Sequence, residues 1–109
     1  MKRWREIVEL PAQQDIAAAH LWLAEREPDA ADQWFDAIYE TIGSLEIFPE
    51  RCPLAPESKF LNAEIREIFH GRRQHKYRIL FAVGGSAVHV LHVRHGARLA
   101  LGESEPVKE

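Results

Sequence analysis

Residues 77–95 carry two runs of alternating apolar side chains on either side of Gly84-Gly85-Ser86, a pattern that leaves so short a chain few folds to choose from. Glycine tolerates the positive φ that tight hairpin turns demand, so residues 77–83 and 87–95 are expected to pair antiparallel. Tyr77, Ile79, Phe81 and Val83 alternate and should face a core, which leaves Arg78 pointing away. Residues 65–69 read as a weaker third strand. The run 4–10 places Trp4, Glu6, Val8 and Leu10 on one side and reads as a short edge strand.

Helices fill the gap between these strands. Pro11 ends the first strand and suits the first turn of a helix, and the Ala-rich AQQDIAAAHLWLAERE that follows is strongly helix-forming. Ile16, Ala19, His20 and Leu23 share one face of it, and Ala17, Ala18 and Ala19 permit close approach of another helix. Pro28 breaks the run and Asp29 is placed to cap a second helix. There Trp34, Phe35, Ile38, Ile42 and Leu45 form a broad apolar stripe. Gly43 weakens its end, and PERCPLAP, with three prolines, is read as loop. The order β-α-α-β-β-β implies an α+β fold, a helical hairpin packed on one face of a small, mostly antiparallel sheet.

A chain of 109 residues, 46% hydrophobic and 28% charged, is expected to be one soluble domain, with residues 99–109 as a tail. No apolar run approaches the ~20 residues of a membrane span. The N-terminal MKRWREIVEL lacks the apolar block of a secretory signal, so the cytoplasm is the expected location. Cys52 is the sole cysteine, which excludes an intrachain disulfide and a thiolate metal cluster and reads as an inert, half-buried thiol.

Charge is distributed unevenly. Residues 66–98 hold seven Lys/Arg against Glu67 alone, together with five of the six histidines, inside a chain of net charge −3. That balance excludes a protein whose whole surface coats nucleic acid, but a local basic face acts on its own within about a Debye length, ~8–10 Å. Arg66, Arg78 and Arg94 lie in strand-like runs, where a rigid guanidinium can grip phosphate or carboxylate. An ordinary solvated face, or pairing with the chain's own acids, is the competing reading. On a regular strand His89 and His95 share a face about 20 Å apart while His92 points to the other, so three ligands do not converge and no metal is expected. His95, near the end of its strand beside Gly96 and Arg98, suits a general acid or base, and equally a structural hydrogen bond. The tryptophans Trp4, Trp22 and Trp34 fit core or partner-interface roles better than base stacking.

Taken together, QDI in the opening helix, W-F-D-A-I with I-x-x-L and F-P after it, R-E-I, K-Y-R-I-L-F and V-L-H-V-R-H-G-A-R resemble the RelE/ParE superfamily of bacterial toxins. The likeness covers about residues 5–98, which makes residues 1–98 a single toxin domain. It implies a toxin neutralised by a co-expressed antitoxin in a hetero-oligomer, without a cofactor and away from the membrane. Two targets are known for such a fold, DNA gyrase and messenger RNA on the ribosome. For a metal-independent ribonuclease the proton-transfer candidates are His95 and Lys76. Arg66, Arg73, Arg78, Arg94 and Arg98 are candidates for binding a target or phosphate, and Trp22, Trp34 and Tyr77 for the antitoxin. Ribonucleases of the superfamily usually place a tyrosine or histidine just after the last strand, where this chain has Leu99-Ala100-Leu101-Gly102, and its His-Gly-x-Arg ending is closer to the gyrase-poisoning ParE branch. A degenerate, non-toxic antitoxin-binding module is the remaining alternative.

Overall fold

The computed structural model describes residues 2–71 and 76–96. Strand β1 (Arg5–Val8) leads into helices α1 (Leu10–Ala24) and α2 (Pro28–Gly43), then a short helix α3 (Glu57–Leu61) and strands β2 (Arg66–His70), β3 (Tyr77–Gly84) and β4 (Ala87–His95). The sheet order is β1-β4-β3-β2. Both β2–β3 and β3–β4 pair antiparallel, whereas β1 runs parallel to β4 with Arg5 opposite Ala87 and Val8 opposite Val90. The expected α+β architecture is therefore present as a mixed four-stranded sheet. Among the described residues no helix is long and apolar enough to cross a membrane.

The helical hairpin covers one face. Ile16 from α1, Ile38 and Ile42 from α2 and Leu45 just beyond it bury against Ile79, Phe81, Val88, Val90 and Val93, with Trp34, Phe35 and Val83 packed around them. Tyr77, Ile79, Phe81 and Val83 thus face the helices, as their alternation requires. The hairpin turn is Gly85-Ser86, with Gly85 at φ +60 as a two-residue loop with glycine first demands.

Several expectations change. Leu10 belongs to α1, so the first strand is shorter than its alternation. Asp29 lies in the first turn of α2 and does not cap it; Glu27 occupies the N-cap position, and Pro28 begins the helix. The proline-rich stretch leads into α3, and residues 53–67 fold back over the other face of the sheet. There Ala55 and Ile65 bury Leu80, with Ala82 and Leu91 alongside. Both faces are covered, one by the helical hairpin and one in part by this flap. The flap is closed by backbone bonds from Ala55 to Ile65 and from Glu67 to Pro53, and by the Ser58 hydroxyl, which donates to the Ile65 carbonyl and accepts from its N–H.

Strand β4 carries a bulge. Leu80 pairs with His92 but Phe81 with Val90, leaving Leu91 as the extra residue. Inward residues therefore run Val88, Val90, Val93. His89 and His92 consequently share the outer side of the sheet and His95 the helical side, the reverse of the pairing expected from an unbroken strand.

Candidate functional site

Among the described residues, the basic segment does not form a field of free cations. Arg78 points away from the helices, as its alternation requires, but is only 6% exposed, because the flap lies over it. Its Nη2 donates to the Glu57 carboxylate at 2.6 Å and its Nε to Glu67 at 3.0 Å. Glu57 is fully buried. Burial alone pushes the guanidinium's pKa down, but the two carboxylates more than offset this and raise it above its ordinary value. Pairing with the chain's own acids, the competing reading of the sequence, is what the structure shows at Arg78. Arg94 sits directly across from it on β4, half-buried on the same face.

Arg66 is also engaged. Its Nη1 donates to the Cys52 carbonyl at 2.7 Å and more weakly to that of Glu50, which ties the start of β2 to the loop before α3. Burial pushes the Cys52 thiol above its usual value against the smaller pull of Arg51 and Arg66, consistent with an unreactive side chain. Arg73 and Arg98 lie outside the described residues.

The two proton-transfer candidates meet through the backbone and diverge through their side chains. Gly96 donates its N–H to the Lys76 carbonyl at 2.7 Å, and a Cβ on Gly96 would stand 2.8 Å from that oxygen, so only glycine fits without a shift. The Lys76 ammonium sits 4.5 Å above the Phe69 ring on the outer face. The His95 ring packs edge-on against Tyr77 on the helical face, centroids 5.2 Å apart. The sheet separates them.

Of the aromatic candidates, Trp34 and Tyr77 come together at 5.1 Å, which with His95 makes a three-ring cluster between α2 and the end of the β3–β4 ladder. Within it the Trp34 Nε1 is buried and has no hydrogen-bond partner among the described residues. Trp22 stands apart, half-exposed at the end of α1 with the Arg26 guanidinium 3.9 Å over its ring.

Sequence reasoning missed a set of histidine contacts that join the elements. His89 meets Glu9 at 2.8 Å, His92 meets Asp15 at 3.0 Å, and His20 meets Asp32 at 3.2 Å. Asp15 also accepts the Val93 N–H at 2.9 Å, where β4 has run past the end of β1 and needs an edge partner. His70 bonds the Thr41 hydroxyl at 2.9 Å, and burial lowers its pKa. Nothing in local spacing announces these pairs, some of which span about eighty residues. Among the described residues no group of three His, Cys, Asp or Glu side chains could hold a metal ion.

Comparison with known proteins agrees with this architecture. A solved structure described as a chromosomal ParDE TA system from P. aeruginosa superposes with a TM-score of 0.69 over 85% of this chain and 96% of that one, at 16% identity, a likeness of fold. No curated protein matches the sequence significantly. The family model described as the ParE toxin of a type II toxin–antitoxin system, parDE, matches residues 7–100, a span that takes in all the helices and strands β2 to β4, and the chain belongs to that family.

Proposed function

We propose that this ParE-family protein inhibits growth by binding DNA gyrase in the cytoplasm and is neutralised in a hetero-oligomer with its cognate antitoxin. What carries the reading is the placement of Lys76 and His95 on opposite faces of the sheet. A ribonuclease needs a base, an acid and phosphate-holding cations converging within hydrogen-bond reach. Here the acid and base candidates diverge, and Arg78 and Arg66 are already held by Glu57, Glu67 and the Cys52 carbonyl. A binding function makes no such demand. In this reading Arg94, with Arg73 and Arg98, contributes cationic contacts to the target. Trp34, half-buried beside Tyr77, and the half-exposed Trp22 offer aromatic anchors for the antitoxin.

The test is paired. Purified protein is assayed for gyrase supercoiling and cleavage-complex formation, and separately for transcript cleavage on translating ribosomes. The expected result is gyrase inhibition, weakened in Arg98→Ala through affinity and partly retained in His95→Ala. Site-specific transcript cuts by the wild type, lost in His95→Ala with gyrase untouched, would replace this reading by the ribonuclease one. Inactivity in both assays would favour the non-toxic module.

A further inference from the structure

Between α2 and α3 the chain turns left-handed at Phe48. Its backbone sits at φ 48, ψ 59, a region that bulky L residues seldom enter, and a residue followed by proline ordinarily stays extended. Elsewhere the described residues meet a positive φ with Asn62, Gly71 and Gly85, residue types that enter this region at little cost. Burial does not explain the phenylalanine either. Pro49 turns inward and is fully buried, whereas Phe48 is 63% accessible, the most exposed large apolar residue among those described. The conformation is clamped. Arg51 donates through Nη1 to the Ile47 carbonyl at 2.6 Å and the Phe48 carbonyl at 3.2 Å, and through Nη2 to the Ser44 hydroxyl at 3.3 Å. That hydroxyl in turn donates to the Thr41 carbonyl at 2.6 Å, at the end of α2. Strain and exposure both lower the stability of the isolated chain, and nothing within it offsets them. Strain that the surroundings enforce at an exposed aromatic ring points to a role outside the chain.

The charges around the ring identify the kind of partner. Arg3 pairs with Glu46, and the exposed Glu50 and Arg51 complete a border of two cations and two carboxylates. A border without net sign does not attract nucleic acid, whose binding rests on phosphate charge, nor an acidic antitoxin drawn by cations. Position agrees. The Trp4 N–H donates to the Glu46 carbonyl at 2.8 Å and the Arg5 N–H to that of Ser86 at 3.1 Å, which sets this loop at the hairpin-turn end of the sheet. The Trp34–Tyr77 cluster lies at the other end of β3, ~23 Å away along the strand. A protruding ring on a loop already ordered fits a preformed apolar pocket of a folded protein, since little freedom is lost when it enters. We propose that Phe48 is the anchor by which this chain enters an apolar pocket on its target protein. The proposal rests on the reading that the target is a protein, as gyrase is.

Phe48→Asn relieves the backbone and removes the ring, so stability and function should part. In the full chain the midpoint of thermal unfolding should rise by about 2–5 °C. Inhibition of purified gyrase supercoiling should weaken by about tenfold or more, the loss expected of a central anchor. Affinity for the co-expressed antitoxin should stay unchanged. Phe48→Tyr, which keeps both ring and strain, should retain most of the inhibition. Full inhibition by Phe48→Asn, or an unfolding midpoint below that of the wild type, would overturn the proposal. So would a parallel loss of antitoxin affinity, which would make the ring an antitoxin anchor, or a wild-type dimer that dissociates in Phe48→Asn. Should the wild type leave gyrase untouched and still arrest growth on induction, the gyrase reading falls, and the anchor stands or falls by whether Phe48→Asn abolishes the arrest.

Discussion

Removing the cation from between Glu57 and Glu67 leaves two carboxylates facing each other under the flap, one of them fully buried. Arg78→Ala is therefore expected to cost about 3–5 kcal/mol in urea unfolding. Any loss of toxicity should follow the loss of folded protein, and a fully stable Arg78→Ala variant with lost target affinity would return this residue to the binding surface. Reading Arg78 from sequence failed because its partner Glu57 lies 21 positions upstream, outside the basic segment, on an element the sequence did not announce. Gly96 was legible as part of a motif but not for its reason. Its Cβ position is occupied by the Lys76 carbonyl, so Gly96→Ala should destabilise by about 1–3 kcal/mol and displace the His95 ring, visible as a shift in its NMR resonances. At His70 the folded state resists a proton that the unfolded chain accepts. Its contribution to stability is thus complete above the ordinary histidine value of 6.5 and fades as pH falls through the lower folded value. Unfolding free energy should consequently drop between pH 7 and 5, less steeply in His70→Gln, as followed by urea titration at each pH.

At the level of elements, the helical hairpin and the β3–β4 ladder were legible because each repeats its period over several turns or pairs. Ile38 lies at the centre of the α2 stripe and is fully buried against the sheet. Truncation to alanine should cost about 2–5 kcal/mol, and unchanged thermal stability would refute the packing described. Helix α3 was not legible, since five residues after three prolines give no helical period and the element is held by Glu57, Ser58 and the chain's return at Ile65. The β4 bulge did leave a trace. Val88 and Val90 alternate, but the next inward residue is Val93, and the adjacent pair Val90-Leu91 marks the slip. Past that point Asp15 takes over from β1 as the partner of β4's edge. Asp15→Ala should expose the Val93 N–H to faster hydrogen exchange and cost about 1–3 kcal/mol, whereas unaltered exchange there would mean that water serves as well.

For the whole molecule, the charge asymmetry visible in sequence survives, but part of it is balanced internally, by Glu57 and Glu67 at Arg78 and Glu64 beside Arg66. The family and fold were legible because element order, size and both strand signatures agree over most of the chain. The site was less so, because its contacts join residues far apart in sequence. If an acidic antitoxin is drawn by the cations that remain, its association rate should fall with added salt while dissociation changes little, measurable by stopped-flow fluorescence from Trp22 and Trp34. A rate indifferent to ionic strength would count against electrostatic capture. The parallel contact of β1 with β4 has a further consequence, one of timing. The first described strand has its ladder partner in the last described one, so a nascent chain that has not yet released residues 87–95 from the ribosome has no place for residues 5–8. Long-range closure of this kind makes folding slow and late. A chain built this way cannot complete its sheet while it is being made, so a partner that recognises the folded protein finds its surface only at chain release rather than during synthesis.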